Sequence, residues 1–178
     1  MNEVLNVIKN RYSCRSFTGE AIENEKIEAL ALAAVQAPSA MNQQPWKVIV
    51  IKDKNLIDQM DDYGMNILKN QEDQSSYERM MDRGGKLLYN APLMIVVAIK
   101  EGKGLDCGIV IENVALAATS MGLGNVICGM ARMPLSNEEF AKKVLPEGYV
   151  FGTSILVGYA TGEGTPHQPD LDKITYIG

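Results

Sequence analysis

The sequence predicts one domain of mixed helices and strands, on three observations. A chain of 178 residues with 46% apolar side chains is the right size for one domain with its own core. Windows rich in helix-forming residues alternate with short β-branched runs. No internal repeat, low-complexity tract or linker divides the sequence. We therefore expect a single domain over residues 1–178.

Residue spacing and composition predict the elements in order. Helical spacing or strong helix formers predict helices at 2–11, 24–37, 105–121 and 137–145, and mostly helix across 54–90. Runs of β-branched and apolar residues predict strands at 46–51, 93–99, 126–128 and 151–159. Proline or glycine is expected to end or interrupt the helices at Pro38, Gly64, 84–85 and 122–124.

The predicted helix at 105–121 is apolar around most of its circumference. Its polar residues, such as Glu112 and Asn113, form one narrow strip. Such a helix must be covered on several sides, either by this chain's own sheet and helices or by its symmetry mate in a two-fold dimer. The tail at 161–178 has few apolar residues and also suits a position along another surface.

Charge and targeting signals narrow the expected partners and location. The 17 basic and 22 acidic residues give a net charge of −5 without a Lys/Arg tract, so we expect neither nucleic acid nor an anionic membrane surface as a partner. The sequence shows no secretory signal, and no apolar stretch approaches the roughly 18 residues of a membrane span. Three cysteines without C-x-x-C spacing disfavour a disulfide scaffold or zinc ribbon. The cytoplasm is the expected location.

The sequence lacks the residues that several classes of enzyme need for catalysis. A single histidine, His167, excludes a multi-histidine metal site and leaves little for a serine or cysteine triad. Cys14 has no evident base partner. The glycines at 122, 124 and 129 follow a predicted helix and precede a predicted strand. A dinucleotide-binding fingerprint follows a strand and opens a helix, so this order argues against it. The glycines instead predict a helix C-cap with left-handed backbone angles. We expect no metal and no catalytic side chain, as in a protein whose cofactor carries the reactivity.

Two polar segments near the N-terminus suit an anionic organic cofactor, which we interpret as FMN. Residues 11–15 (RYSCR) hold two guanidinium groups and two hydroxyls, which match phosphate and the N1–O2 edge of a flavin. Residues 37–46 (APSAMNQQPW) offer amides that match a flavin's pyrimidine ring. Taken alone, the first segment is also typical of surface arginines paired with Glu3 or Glu20. The second is also typical of a capped helix–strand connection.

In combination, the motifs resemble the nitroreductase family of FMN-dependent oxidoreductases. After the segments at 11–17 and 37–46, the match continues in the family's order, over nearly the whole chain, at 112–118, 121–124 and 156–159. The resemblance implies an α+β fold with a mostly antiparallel central sheet flanked by helices. It also implies an intertwined homodimer with two FMN sites at the subunit interface, each built from both chains.

The resemblance also assigns the residues of each FMN site. Contacts on the ribityl-phosphate side would come from Arg11, Tyr12 and Ser13. Arg15 would lie near flavin N1 and O2 and stabilise the reduced flavin. The partner subunit would supply Pro38, Ser39, Ala40 and Asn42. Main-chain atoms would line the flavin at Ile127, Cys128 and Gly129.

Two features depart from the family pattern or match it weakly. The tail lacks the Lys-x-Arg with which many members grip the phosphate, so His167 is the candidate substitute, with a plain surface histidine as the alternative. Asn66 and Lys69 are a weak match to an Asn-x-x-Lys flavin contact. In the family, the segment that corresponds to residues 54–90 shapes the substrate pocket. This segment does not align with the family pattern, so the sequence does not identify the natural acceptor.

The function implied is that of an FMN-dependent NAD(P)H oxidoreductase. NADH or NADPH would donate a hydride to flavin N5 and leave, and a small organic acceptor such as a nitroaromatic or quinone would then be reduced, in a ping-pong cycle. The alternative from another class is a non-catalytic FMN carrier or redox sensor. Two other reactions of enzymes with this fold, reductive dehalogenation and oxygen-dependent flavin cleavage, are also alternatives for the activity of this chain.

Overall fold

The computed structural model describes residues 2–178, which contain six α-helices and four strands. The helices are α1 (Glu3–Asn10), α2 (Asn24–Val35), α3 (Lys54–Lys69), α4 (Ser75–Asp82), α5 (Gly104–Ser120) and α6 (Glu138–Val144). The strands are β1 (Trp46–Ile51), β2 (Leu93–Ile99), β3 (Gly124–Ile127) and β4 (Val150–Gly158). Short 3-10 helices lie at Ala40–Asn42, Gly129–Arg132, Pro134–Ser136 and Leu171–Lys173.

Local sequence explains where several helices begin. The side-chain oxygens of Asn2, Asp53 and Asn137 accept hydrogen bonds from backbone N–H groups in the first turns of α1, α3 and α6. These N-caps satisfy donors that have no partner inside the helix. The first turns therefore start within one or two residues of the positions expected from the sequence.

The four strands form one antiparallel sheet in the order β1-β2-β4-β3. Every residue of the central strand β2 is buried. Its side chains alternate between two cores: Met94 and Val96 pack in one, and Ile95 and Val97 pack in the other. Helices cover both faces, with α3, α4 and α6 on the first and α2 and α5 on the second. The expected α+β fold with a central antiparallel sheet is confirmed.

The segment that follows α1 runs along the edge of this sheet. Ser13 forms a parallel bridge with Asn125 of β3, and the Cys14 N–H donates to the Asn125 carbonyl at 2.8 Å. Phe17 forms an antiparallel bridge with Ala160, just after β4. These contacts hold the segment 11–18 beside the ends of β3 and β4.

One helix runs through a position where we expected an interruption. The sequence predicts a break at Gly64, but α3 continues through it. Gly64 is buried against Leu87 and Pro134, and a Cβ there would overlap the Leu87 side chain. The glycine therefore allows close packing rather than a turn. The break at 84–85 is confirmed, since both glycines have left-handed backbone angles after α4.

The glycines after α5 also differ in part from expectation. Gly122 adopts the left-handed angle of a C-cap, with φ of 74°. Gly124 and Gly129 do not, and Gly124 instead lies in β3. A Cβ at Gly124 would stand 2.8 Å from the Cys14 sulfur, so the role of this glycine is close packing against the segment 11–18.

Helix α5 is covered by its own chain on one side. Its buried residues, among them Val110 and Val114, pack in the core on the α2 side of the sheet. The Asn113 side-chain amide donates to the Ala33 carbonyl of α2 at 3.1 Å. At its N-terminal end, however, Leu105 is 81% exposed. The chain's own sheet and helices therefore bury six of the 17 residues of α5, and the cover of its other side by a symmetry mate stays a prediction.

None of the helices within residues 2–178 has both the length and the apolar character that crossing a membrane requires.

Candidate functional site

A cavity of about 500 Å³ lies between the segment that follows α1 and the loop that follows β4. We call it the loop cavity. It is lined by Arg83 and by residues of two short segments, 12–16 and 161–165. Its walls offer guanidinium groups at Arg15 and Arg83 and hydroxyls at Ser13 and Ser16. This donor set suits an organic phosphate or a polyol.

Hydrogen bonds between the two segments fix the walls of the loop cavity. The Thr161 N–H donates to the Ser16 carbonyl at 3.1 Å, and the Thr161 hydroxyl donates to the Ser16 hydroxyl at 2.9 Å. The Arg15 guanidinium donates to the Ser13 carbonyl at 3.3 Å. Contacts between the two segments at the sheet edge therefore fix the shape of the loop cavity. The polar groups on its walls still have hydrogen-bond donors for a ligand.

Gly164 allows the two walls to approach each other closely. A Cβ at Gly164 would overlap the ring of Tyr12 on the opposite wall. Burial, followed by the nearby Cys14, raises the pKa of the Tyr12 phenol above its ordinary value. The phenol therefore stays protonated at neutral pH and adds no negative charge to a site that suits an anion.

A second cavity of about 200 Å³ adjoins the first, and both are lined by Arg15 and Arg83. We call it the helix cavity because α4 forms one wall, through Ser76, Arg79 and Met80. The end of β3 and the turn after it, residues 126–130, form another part of the lining. Tyr89 closes one side. The helix cavity thus joins a cationic wall to a largely apolar one.

The cysteines near these cavities are not poised as nucleophiles. Cys128 is buried, and burial raises the pKa of its thiol. Its carbonyl accepts a hydrogen bond from the Ser154 hydroxyl at 2.7 Å, which fixes the backbone at the end of β3. The Cys14 thiol is also buried and donates to the Ser16 carbonyl at 3.3 Å.

The structure brings half of the predicted site residues together. Tyr12 and Ser13 line the loop cavity, Arg15 lines both cavities, and the helix cavity is lined by Ile127, Cys128 and Gly129. Arg11 lines neither cavity and is half-buried at the C-terminal end of α1. In residues 2–178 no salt bridge involves an arginine, so the suggested pairing with Glu3 or Glu20 does not form.

The remaining predicted residues lie elsewhere on the chain. The 3-10 helix Ala40–Asn42 and its flanks have an unusual backbone, with left-handed angles at Asn42 and Gln44. The Ser39 hydroxyl accepts a hydrogen bond from the Gln44 N–H at 2.9 Å. This loop, which carries Pro38, Ser39, Ala40 and Asn42, lines neither cavity of its own chain. His167 is exposed and lines neither cavity. The roles assigned to these residues stay predictions.

Two arginines at the site were missed from the sequence. Arg79 and Arg83 are four residues apart on α4 and its C-cap, so both reach the same side of the helix. That spacing is visible in the sequence, but only the fold shows that the helix faces Arg15. The weakly matched Asn66 and Lys69 lie on α3 and line neither cavity.

Within residues 2–178 no group of three or more histidine, cysteine, aspartate or glutamate side chains is placed to hold a metal ion.

Comparison with known proteins places this geometry in context. The family model described as "Nitroreductase family" matches residues 8–144, which is more than half of the chain. An FMN reductase [NAD(P)H] of Bacillus subtilis is 27% identical, over 97% of this chain and 72% of its own. A protein of Archaeoglobus fulgidus, provisionally named an NADH dehydrogenase/NAD(P)H nitroreductase, is 30% identical over 96% of this chain and 92% of its own.

Two solved nitroreductase structures are also similar to this chain. A nitroreductase with bound FMN from Desulfitobacterium hafniense is 50% identical, covers the whole of both chains and superposes with a TM-score of 0.96. An FMN-dependent nitroreductase from Clostridium difficile is 26% identical over 99% of both chains, with a TM-score of 0.82.

Proposed function

Since this chain belongs to the nitroreductase family, we propose that it is an FMN-dependent NAD(P)H oxidoreductase that holds FMN across the loop cavity and the adjoining helix cavity. The similar chains named as FMN reductase and NAD(P)H nitroreductase, and the FMN-bound nitroreductase of 50% identity, support the cofactor and the donor. The observation that carries the proposal is the position of Arg15. Arg15 lines both the loop cavity, whose donors suit a ribityl phosphate, and the helix cavity, whose lining includes the residues assigned to the flavin ring.

The residues of the loop cavity fit FMN. The volume of about 500 Å³ and the hydroxyls of Ser13 and Ser16 suit a ribityl phosphate, and Arg83 adds a second guanidinium. Glu163 is the acidic residue on the cavity wall and lies with the 161–165 segment. Arg15 would hold the N1–O2 edge of the ring, and backbone atoms of 127–129 would line it.

When bound, FMN supplies the hydride chemistry, accepting a hydride from the nicotinamide and passing it to the acceptor. The protein positions the two molecules and provides charge. Arg15 contributes a fixed positive charge where negative charge develops. The helix cavity is about 200 Å³ and is lined by Arg15 and residues 127–129, so its volume and lining suit the flavin ring. Donor and acceptor would react with the bound flavin in turn, in a ping-pong cycle, with a nitroaromatic or quinone as a convenient test acceptor.

The complete site would require two copies of the chain. Ser39 and Asn42 do not line the loop cavity of their own chain, and the resemblance assigns them to the partner's FMN. Apolar side chains are exposed on α1, at Val4, Leu5 and Ile8, and near the C-terminus, at Leu171, Ile174, Tyr176 and Ile177. Exposed apolar surface of this extent favours burial against another chain. We propose a homodimer with the FMN sites between its subunits.

Anaerobic titration of the purified protein tests the function directly. We expect the absorbance of bound flavin, and its bleaching by NADH or NADPH at one two-electron equivalent per subunit. A non-catalytic carrier would keep its oxidised spectrum in the presence of both donors. The similar proteins of Archaeoglobus fulgidus and Bacillus subtilis carry enzyme names, and no observation favours the carrier alternative. A cytoplasmic location is also proposed, supported by three free cysteines.

Replacing Arg15 by alanine is expected to slow flavin reduction by about tenfold to a hundredfold, because a positive charge at the site of developing negative charge is lost. Stopped-flow mixing with NADH measures the rate. Arg132→Ala is the matched control, since the Arg132 guanidinium stacks over the Phe151 ring instead of lining either cavity. Equal reduction rates for the Arg15 variant and the unmodified protein would remove the role assigned to Arg15.

Gly164→Ala is expected to weaken FMN binding by about tenfold, since the new methyl group must displace the Tyr12 ring and overpacking of this kind costs about 1–3 kcal/mol. Fluorescence titration of the apoprotein with FMN measures the affinity. Gly162→Ala is the control on the same loop, because no atom lies within 4 Å of a Cβ there. If both variants bind FMN equally well, the close approach of Gly164 to Tyr12 is irrelevant to the site.

A further inference from the structure

Tyr89 has an unusual backbone conformation at one side of the helix cavity. Its φ is 54°, and that of the next residue, Asn90, is 57°, so both residues lie in the left-handed region. Asparagine tolerates this region, but a bulky residue there is an outlier. Turns of this kind favour glycine, asparagine or aspartate. The presence of a tyrosine here therefore needs an explanation beyond the local conformation, and strained residues of this kind cluster at functional sites.

Buried contacts hold the turn that contains Tyr89. The Asp61 carboxylate of α3 accepts a hydrogen bond from the Leu88 N–H, and the Ala91 N–H donates to the Leu88 carbonyl at 3.1 Å. Both Leu88 and Ala91 are fully buried. Strand β2 begins at Leu93, just after this turn, and lies inside the sheet between β1 and β4. The fold itself therefore fixes the turn from which the Tyr89 side chain projects.

The Tyr89 hydroxyl is a free donor at the helix cavity. Only 8% of this residue is exposed, and a tyrosine hydroxyl on so buried a residue usually has a partner. Tyr159 uses its hydroxyl in two side-chain hydrogen bonds, whereas the Tyr89 hydroxyl makes none within residues 2–178. In that part of the chain, the fully enclosed side-chain atoms without a partner belong to Asp61 and Asn125, so the Tyr89 oxygen borders open space. The open space that Tyr89 lines is the helix cavity.

The residues that line this cavity with Tyr89 include those assigned to the flavin ring. Arg15 and residues 127–129 belong to the same lining, together with the apolar side chains of Val126 and Met130. The polar part of a flavin ring presents carbonyl oxygens and ring nitrogens that accept hydrogen bonds. A phenol combines a flat apolar body with a neutral O–H donor. The Tyr89 hydroxyl therefore offers a partner that the ring can accept, at a cavity where its own chain leaves the hydroxyl unpaired.

We propose that the Tyr89 hydroxyl donates a hydrogen bond to the polar edge of the bound flavin ring and raises the reduction potential of the FMN. The inference rests on the proposed function. Reduction adds a hydride to the ring and with it one negative charge, so a donor at that edge stabilises the reduced form more than the oxidised form. Because the turn already holds the phenol in place, little reorganisation accompanies the gain in charge. Tyr89 thereby complements Arg15, which supplies a full positive charge.

Tyr89→Phe tests this hydrogen bond because it removes the hydroxyl and keeps the ring. The midpoint potential of the bound FMN is measured against a reference dye during anaerobic reduction. We expect the preference of the protein for reduced over oxidised FMN to fall by about tenfold, which lowers the midpoint potential of this two-electron couple by about 30 mV. Tyr63→Phe is the matched control and should leave the potential unchanged. The Tyr63 ring packs edge-to-face on Phe140, with 5.7 Å between the ring centroids, and lines neither cavity.

Unfolding of the full chain without FMN separates a contact with the flavin from a purely structural role. The Tyr89 hydroxyl makes no hydrogen bond within residues 2–178, so Tyr89→Phe is expected to keep the urea midpoint of the FMN-free chain. A lower urea midpoint with an unchanged potential would mean that the hydroxyl supports the turn, and the proposal would be wrong. An unchanged potential with unchanged stability overturns it as well, because the hydroxyl would then have no effect on the flavin.

Riboflavin, which lacks the phosphate, separates the ring from the rest of the cofactor. The FMN-free chain is titrated with oxidised FMN and with riboflavin. Tyr89→Phe is expected to weaken the binding of both by the same factor of about threefold, since a hydrogen bond to the ring is lost. A loss confined to FMN would place the hydroxyl at the phosphate and overturn the proposal. Failure of the proposed function looks different: the unmodified protein would bind neither flavin, or its flavin would not bleach with either nicotinamide.

Discussion

Val4→Glu is expected to convert the proposed dimer into folded monomers that retain little FMN. Val4 is 63% exposed in the single chain and lines an apolar groove of about 250 Å³ with Val7 and Leu116, between α1 and α5. In a monomer the new carboxylate would stay in water, and its place in the first turn of α1 is favourable for a negative charge. In a dimer it would be buried without a partner.

An uncompensated buried charge costs about 3–5 kcal/mol, so the dimer dissociation constant should rise by at least about a hundredfold. Light scattering after size-exclusion chromatography measures the mass, and the flavin-to-protein absorbance ratio measures retained FMN. Gln59→Glu adds the same charge on the exposed side of α3 and serves as control. A Val4→Glu protein that stays dimeric and fully yellow would place the interface elsewhere.

Asp61→Ala is expected to destabilise the fold by about 1–3 kcal/mol, because it removes the acceptor of a buried backbone donor. Asp61 lies on α3 with 2% of its side chain exposed, and it accepts a hydrogen bond from the Leu88 N–H. Lys86 lies 3.4 Å from its second oxygen and 3.1 Å from Asp62. The contact holds the turn that carries Tyr89 into the helix cavity.

The isosteric variant Asp61→Asn separates the hydrogen bond from the charge. Burial raises the pKa of Asp61, which outweighs the opposing effects of the Leu88 N–H and Lys86. An acid with a raised folded-state pKa favours folding most at low pH, and this contribution is lost as pH rises from its unfolded value of about 3.9 through the folded value. Asp61→Asn should therefore gain stability relative to the unmodified protein as pH rises through that window.

Urea unfolding over a pH series measures both effects, at fixed protein and FMN concentrations because dimerisation and ligand binding also stabilise the fold. Asp62→Asn is the control, since Asp62 is 75% exposed and contacts the same lysine. Equal urea midpoints for Asp61→Ala and the unmodified protein would show that the Leu88 N–H finds another partner. A flat pH difference between Asp61→Asn and the unmodified protein would contradict the raised pKa.

Local sequence predicted most of the elements within two residues at each end. Strands β1 and β2 have the predicted bounds, because β-branched runs between turn residues leave few alternatives. Gly64 was misread for a physical reason. A glycine in a helical pattern can be a stop or a site of close packing, and the choice depends on Leu87, a residue more than twenty positions away.

The candidate site was predictable in part. Residues 11–15 and 127–129 were found by resemblance, and the sheet edge brings them together at Arg15. Arg79 and Arg83 were not found, since their segment could not be aligned and a pair of helical arginines is common on any surface. Completion of a partner's site by the loop at 38–42 and by His167 depends on how two chains assemble, and local sequence does not encode that geometry.

By itself the sequence determined the order of helices and strands, the family to be expected and the kind of cofactor, because these depend on local propensity and on short motifs. Only the tertiary structure decided which charges share a cavity, which glycine is a turn and which is a packing contact, and which apolar side chains stay exposed. Those outcomes depend on contacts between residues far apart in the chain, and such contacts exist only after the sheet has formed.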